Sequence, residues 1–544
     1  MKKHLRAGAS LLAAALLAGS LAGCGTKPGG GSSPSAELEA WKEYRYADPV
    51  TIKVGICNTG GDNWDMTNNP FLDLCRDVLN VNIEAAWNLA WAEHTEKVKL
   101  AAATDSLPDA CLVFNYDLFL QMVENEKIAD LSAAYNSKAG TFLREIYETY
   151  PDSAPIKEVT HGGKLYAFPS TTFNGQHAML WVRQDWLDAL NLDRPKTVDD
   201  VLNVARAFVN NDPDGNGQKD TIGLPYSRWK LGIVNQSSTM DPLYYALGAY
   251  PSKWFQDENG EVYYGTLTPE MKAAVGVVAN AVKEGIIDPF TDGKAEISSG
   301  KCGMIFDAWW APTGILTSIH ESDPEADWVA LTAPVNSEGK FVVPSESPID
   351  LSSGLIVARA GFENTEAIAR VMYLWRQLTV EKEEALVKAY KGEELPSGFK
   401  SPFNAQIGNQ DTLYESYEKL VKLGETTDPA SLNTSDRARY DLYQEYLANP
   451  AGMKTADWGS INASLVGQSR VKDPEIEYKT PCINMLNSKM IEVFGDFHGH
   501  EMDSIFSIVG GANELDAFDQ LFADFETMGG RETANLIKDY LNSK

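Results

Sequence analysis

Asp109-Ala110-Cys111-Leu112-Val113-Phe114 is a short, almost continuous apolar run. It has no polar face to turn to water, so it suits a buried strand of the parallel kind. Upstream, Glu93 to Ala103 reads as a helix and Ile83-Glu84-Ala85-Ala86-Trp87 as a second strand. Phe71, Leu72, Leu74, Cys75 and Val78 form a further helical stretch, and Thr51-Ile52-Lys53-Val54-Gly55-Ile56 alternates as a strand. A polar loop over 58–69 carries Asp62, Asn63 and Trp64. Strands alternating with helices predict an α/β fold.

Downstream, Thr197 followed by Val198-Asp199-Asp200 has the form of a capping box, and Val201, Ala205 and Phe208 then share one helix face. Thr268 to Ile287 is an amphipathic helix with Met271, Val275, Val278 and Val282 roughly aligned. The stretches 363–390 and 514–541 read as mostly helical. Asp257-Glu258-Asn259-Gly260 and Asn336-Ser337-Glu338-Gly339 are turns between short strands.

The 544 residues include 47 Lys and Arg against 76 Asp and Glu, a net charge of −29. Phosphate binding wants a basic face, so this balance argues against nucleic acid as a partner. With 44% hydrophobic and 23% charged residues and one long apolar run, the chain is neither disordered nor a polytopic membrane protein.

That run is part of a leader. Met1-Lys2-Lys3-His4-Leu5-Arg6 precedes an apolar stretch from Ala7 to Ala22, the layout of a secretory signal over 1–23. It ends Leu21-Ala22-Gly23-Cys24, which resembles the bacterial lipobox. The resemblance implies cleavage before Cys24, a lipid on its sulfur and anchoring to the outer face of the cell membrane. Residues 24–45, rich in Gly, Ser and Pro, read as a flexible tether. Cys57, Cys75, Cys111, Cys302 and Cys482 remain, with no CxxC pair, and read as buried thiols.

Three stretches carry family character. The first is Gly163 to Pro169, then Leu180-Trp181-Val182-Arg183-Gln184-Asp185-Trp186-Leu187 and Arg194 to Asp200. The second is Ser299-Gly300-Lys301-Cys302-Gly303-Met304-Ile305-Phe306, and the third is Phe506-Ser507-Ile508-Val509-Gly510-Gly511 with Met528-Gly529-Gly530. Together they resemble the extracellular solute-binding lipoproteins of ABC sugar importers, and within them the alginate-oligosaccharide-binding and LplA-type proteins. The resemblance implies a bilobal, periplasmic-binding-protein-like α/β fold with a hinge of three crossovers, near Pro169, over 335–344 and over 397–402. One lobe would hold 46–168 and 345–398, the other 169–340 and 400–544. It implies a monomeric receptor that captures a carbohydrate, probes no chemistry on it, and delivers it to permease subunits. No GxxxxGK[ST] motif is present, so the ATPase is a separate polypeptide.

Asp212-Pro213-Asp214-Gly215-Asn216-Gly217-Gln218-Lys219-Asp220 places oxygen side chains at positions 1, 3, 5 and 9 of an EF-hand-like loop. Gln218 offers a backbone carbonyl at position 7. Position 12 is Gly223 in place of the bidentate Glu. The alginate-binding proteins hold calcium in a similar loop, so structural Ca²⁺ is expected, although Thr221 replaces their acidic residue after the last Asp.

A sugar site wants flat aromatics for the C–H faces and polar side chains for the hydroxyls. Residues just past strand ends are the natural places for them. Trp64, Trp309, Trp310, Trp458 and Tyr116 are the expected stacking residues, with Asp62, Asn63, Asn115 and Asp307 for hydrogen bonds. Each aromatic also has a core reading, since Trp is mostly buried. Arg183 has two readings, a cleft partner or a structural salt bridge.

Other readings stay open: a receptor for a peptide or cation, an exported glycoside hydrolase, and a structural surface lipoprotein. Catalytic signatures are missing. His500-Glu501 is followed by Met502-Asp503-Ser504, so HExxH fails, and GxSxG does not occur. His498-Gly499-His500 reads as an exposed polar loop.

Overall fold

The computed structural model describes residues 39–58, 69–228, 230–380, 400–426, 428–432 and 434–543. The leader, Cys24, most of the tether, and the loop residues Asp62, Asn63 and Trp64 lie outside the described residues.

The apolar run sits at the centre of the first lobe. Ala110–Val113 is buried along its whole length, in a five-stranded sheet ordered Val81–Ala90, Val50–Asn58, Ala110–Val113, Leu355–Ala358, Phe168–Pro169. The first three strands are parallel, and Leu355–Ala358 returns antiparallel from far along the chain. In Val50–Asn58 the alternate residues Ile52, Val54 and Ile56 are buried. Gly55 must be glycine, because a Cβ there would stand 2.5 Å from Cζ2 of Trp87, where the strand register also shifts. Helix Trp91–Ala103 covers the sheet through Val98, Ala101, Ala102 and the buried His94. That imidazole accepts from the Trp87 indole N–H and donates to the Leu112 carbonyl, so burial holds it neutral.

The second lobe is organised by Met179–Arg183, the middle strand of three, with Met304–Asp307 and Trp328–Leu331 antiparallel on either side. All five of its residues are buried. Successive side chains point to opposite faces. Leu180 and Val182 therefore join a core with helices Val198–Asn210, Pro269–Glu284 and Phe497–Val509, while Met179 and Trp181 join another with helix Thr455–Asn462. Thr197 and Asp200 make the expected capping box, and Thr268 caps Pro269–Glu284 with proline at its first turn. The Asp257–Gly260 turn joins the antiparallel pair Trp254–Gln256 and Val262–Tyr264. The Asn336–Gly339 turn leads instead into Phe341–Pro344, which pairs in parallel with the distant Ile476–Lys479. Arg183 takes the structural reading: it pairs with Asp185 and Asp323 and lies over the Trp186 ring. The five described cysteines are free thiols, four of them buried.

Three chain segments link the lobes by hydrogen bonds to one another, over 170–174, 345–354 and 404–411. Thr171 N donates to Gln406 O, Thr172 N to Pro348 O, Asp350 N to Ser170 O, and Asn174 N to Gln410 O. Thr171 is buried, and its hydroxyl accepts from Gly408 N and donates to Gly408 O, each at 3.0 Å. The second and third crossings thus run a few residues beyond 335–344 and 397–402. The reason is that Phe341–Pro344 is held back by its pairing in the second lobe.

Thr171→Val removes the acceptor of a buried N–H and is expected to cost about 1–3 kcal/mol in urea unfolding, with Thr171→Ser retaining most of it. Equal stability of the valine variant would rule out this role.

Candidate functional site

The crossovers floor two adjoining cavities of about 400 and 540 Å³. The first is walled by Tyr116, Tyr150 and Glu158 of the first lobe and by Tyr478, Asn484 and Tyr540 of the second. The second is walled by Trp309, Trp310, Lys253 and Asn235 opposite Asp350, Ser352 and Gln406. Phe173, Gln176, Glu346, Asn484 and Met485 border both. The site is therefore one cleft, built where side chains of both lobes meet over the hinge.

Backbone shape sets its floor. Gly175 has φ +82°, and a Cβ there would fall 2.1 Å from Cβ of Val471, so only glycine lets the first crossover turn under the cavity. His177, two residues on, is buried, and neither ring nitrogen has a hydrogen-bond partner. It lines the first cavity between Phe341 and Tyr478, and burial pushes its pKa down to about 4. Trp309 and Trp310 stand edge to face with ring centroids 5.7 Å apart, and the Trp309 indole N–H also has no protein acceptor.

Of the residues expected at the site, Tyr116, Trp309 and Trp310 line the cleft. Three others are taken up by the fold. Asn115 caps helix Tyr116–Glu124, its Oδ1 accepting from Leu118 N at 2.7 Å. Asp307 is buried at the end of strand Met304–Asp307 and accepts from Ser237 Oγ and Ala308 N. Trp458 is in helix Thr455–Asn462, not in a loop, and its ring stacks on His320 at 4.3 Å within the core. His498 and His500 are likewise helical, paired with Glu501 and Asp524. His177, Gln176, Glu346, Tyr478 and Asn484 were not anticipated. Tyr478 is on strand Ile476–Lys479 and the other four sit in connecting segments, none of them in a motif, and only the fold brings them together.

The lobes also touch at the wall of the first cavity. The Tyr116 hydroxyl donates to the Glu158 carbonyl at 2.8 Å and meets Tyr540 of the C-terminal helix. Beside it, Asp117 Oδ1 accepts from Ser488 N at 3.0 Å, at the start of helix Ser488–Phe494.

In the loop 212–220, Asp212 accepts from the backbone N–H of Asn216 and Gly217, Asn216 Nδ2 donates to Asp214 and Asp220, and Asp220 pairs with Lys301. The carboxyl of Asp214 is raised by burial and by Asp212 and Asp220 beside it. Among the described residues no three His, Cys, Asp or Glu side chains converge as metal ligands. The oxygens of Asp212, Asp214, Asn216 and Asp220 are nevertheless gathered in one short loop with negative charge in excess, a donor set that suits a hard cation.

Residues 77–372 match the family of bacterial extracellular solute-binding proteins. Lipoprotein LipO of Bacillus subtilis is 27% identical over 270 residues, 47% of this chain and 50% of LipO. The fructooligosaccharide ABC transporter substrate-binding protein FusA of Streptococcus pneumoniae is 25% identical over 289 residues, 49% of this chain and 50% of FusA. The matched region thus spans about half the length of these relatives. An extracellular solute-binding protein from Bifidobacterium longum subsp. infantis shares the fold with a TM-score of 0.60, covering 91% of this chain and 98% of its own at 15% identity. The expected bilobal α/β fold is the observed one. Among the described residues no helix is long and apolar enough to cross a membrane.

Burial pushes the Asp241 carboxyl, like that of Asp307, up to about 6. A carboxyl raised on folding binds its proton more tightly in the folded state, so its contribution to stability is greatest below 3.8 and is lost as pH rises toward about 6. Asp241→Asn removes that loss. The Tm of the variant minus that of the wild type is expected to grow between about pH 4 and about pH 7, and a difference independent of pH would contradict it.

Proposed function

The chain belongs to the bacterial extracellular solute-binding proteins, and we propose that it captures an oligosaccharide between its lobes and delivers it, chemically unchanged, to the permease of an ABC importer. The observation that carries this reading is the cleft over the hinge. Flat rings (Phe173, Tyr478, Trp309, Trp310) and neutral polar groups (Gln176, Asn484, Asn235, His177) face it from both lobes. Rings suit the C–H faces of sugars, and amides suit their hydroxyls. A ligand touching both lobes favours whichever arrangement brings them together, and so shifts a hinge equilibrium that a permease can read. The name of FusA, a fructooligosaccharide-binding relative, supports the same substrate class.

The lipid on Cys24, following removal of residues 1–23, holds the receptor at the outer face of the membrane, and the Gly-, Ser- and Pro-rich stretch that follows gives it reach. The tether expected over 24–45 is shorter than that, because Glu39–Tyr44 is a 3-10 helix whose Trp41 is buried in the core of the first lobe. A separate ATPase drives transport. The loop 212–220 takes up Ca²⁺ through Asp212, Asp214, Asn216, the Gln218 carbonyl and Asp220, with Asp220 released from Lys301. Bound there, the ion supplies positive charge to a loop on the second lobe and has no part in ligand chemistry.

Titration calorimetry against neutral oligosaccharide panels is expected to show saturable binding with no products by chromatography. Trp309→Ala should weaken it by about tenfold, about 1.4 kcal/mol, with the fold intact. Turnover of the sugar would favour a hydrolase, and absence of any glycan-induced stabilisation would remove the carbohydrate reading. Ca²⁺ is expected to raise Tm above its value in EDTA without being needed for binding. Equal melting in both conditions would dismiss the ion.

A further inference from the structure

The charges around the cleft are one-sided. Among the described residues lining the two cavities there is no arginine, and the lysine is Lys253. Against it stand Glu158 in the first cavity, Asp350 in the second and Glu346 at the border of both. The charge of Lys253 draws down the carboxyls of both Asp241 and Glu346. The remaining basic side chain, His177, is an uncharged imidazole at neutral pH.

A carboxylate brought into such a site sheds its water and meets three acidic side chains, Glu158, Glu346 and Asp350, against the single ammonium of Lys253. Sites that recognise anionic ligands supply arginine forks or lysine ammonium groups for this purpose. Here the incoming charge meets Glu346, whose carboxyl is already raised by burial and by the neighbouring Asp350. A neutral sugar has the opposite experience, because carboxylate oxygens accept from its hydroxyls.

Resting on the carbohydrate reading above, we propose that the cleft selects uncharged oligosaccharides and rejects those carrying carboxylates, and that Glu346 is the specificity-determining residue. It acts where the two cavities join, so a uronate ring on either side comes within its field. The net charge of −29 adds a repulsive approach for anionic glycans.

The test uses the full chain and size-fractionated fragments of pectin and alginate, each before and after carboxyl reduction, beside maltodextrin and fructan fragments. Calorimetry and thermal shift are read at low and high salt. Neutral or reduced fragments are expected to bind, and their uronate parents to bind about tenfold or more weakly. That gap should narrow with salt, and also in Glu346→Gln and, to a smaller extent, in Asp350→Asn. A uronate fragment that binds as tightly as its reduced twin overturns the selectivity while leaving the carbohydrate reading in place. An unchanged gap in both variants removes Glu346 and its neighbour from the role. Failure of every fragment, neutral and acidic, overturns the carbohydrate reading itself.

Discussion

Three crossing segments hydrogen-bonded to one another are the constraint on which the rest of the molecule depends. Each lobe is made of distant pieces of chain, so the lobes cannot be joined by one flexible linker. Leu355–Ala358 completes the first sheet only because the chain returns through 345–354. The reciprocal pair between the Thr171 hydroxyl and Gly408 ties the first crossing to the third, and the Thr172 and Asp350 backbone bonds tie the first to the second. Buried backbone groups need partners, and here the crossings serve as partners for each other. The cleft follows from this arrangement, since the same segments that bind one another on one side present Phe173, Gln176 and Glu346 on the other.

Elements were legible in the sequence where the signal was local. Thr197 with Asp200, and Thr268 with Pro269, announce helix starts because the capping groups are neighbours in the chain. Ala110–Val113 announces burial because it has no polar face. The three family-like stretches sit on structural work: Met179–Arg183 is the central strand of the second lobe, and Gly303 is glycine because Trp186 lies 2.2 Å from where its Cβ would be. The bilobal fold was therefore readable from these stretches and their order.

The cleft was only partly readable. Position after a strand pointed to Trp309 and Trp310, which line the cleft, but the same rule pointed to Asn115 and Asp307, whose polar atoms the fold consumes in a cap and a buried hydrogen-bond pair. Trp458 shows the general difficulty, because a tryptophan beside polar residues reads alike whether it faces a cavity or stacks on a buried histidine. His177 and Glu346 have no neighbours that mark them. Their meaning lies in which segments of chain cross beside them, and that is a property of long-range topology.

The contact between the lobes beside the first cavity has a kinetic consequence. Among the described residues, a phenol pairing at Tyr540 and a main-chain amide on Asp117 hold the lobes together there, and each such bond is worth about 1 kcal/mol. So small a threshold is crossed readily by thermal motion. On the proposed role, how long a ligand dwells is governed by its own grip on the walls more than by this latch, and the cleft can empty quickly once that grip is released.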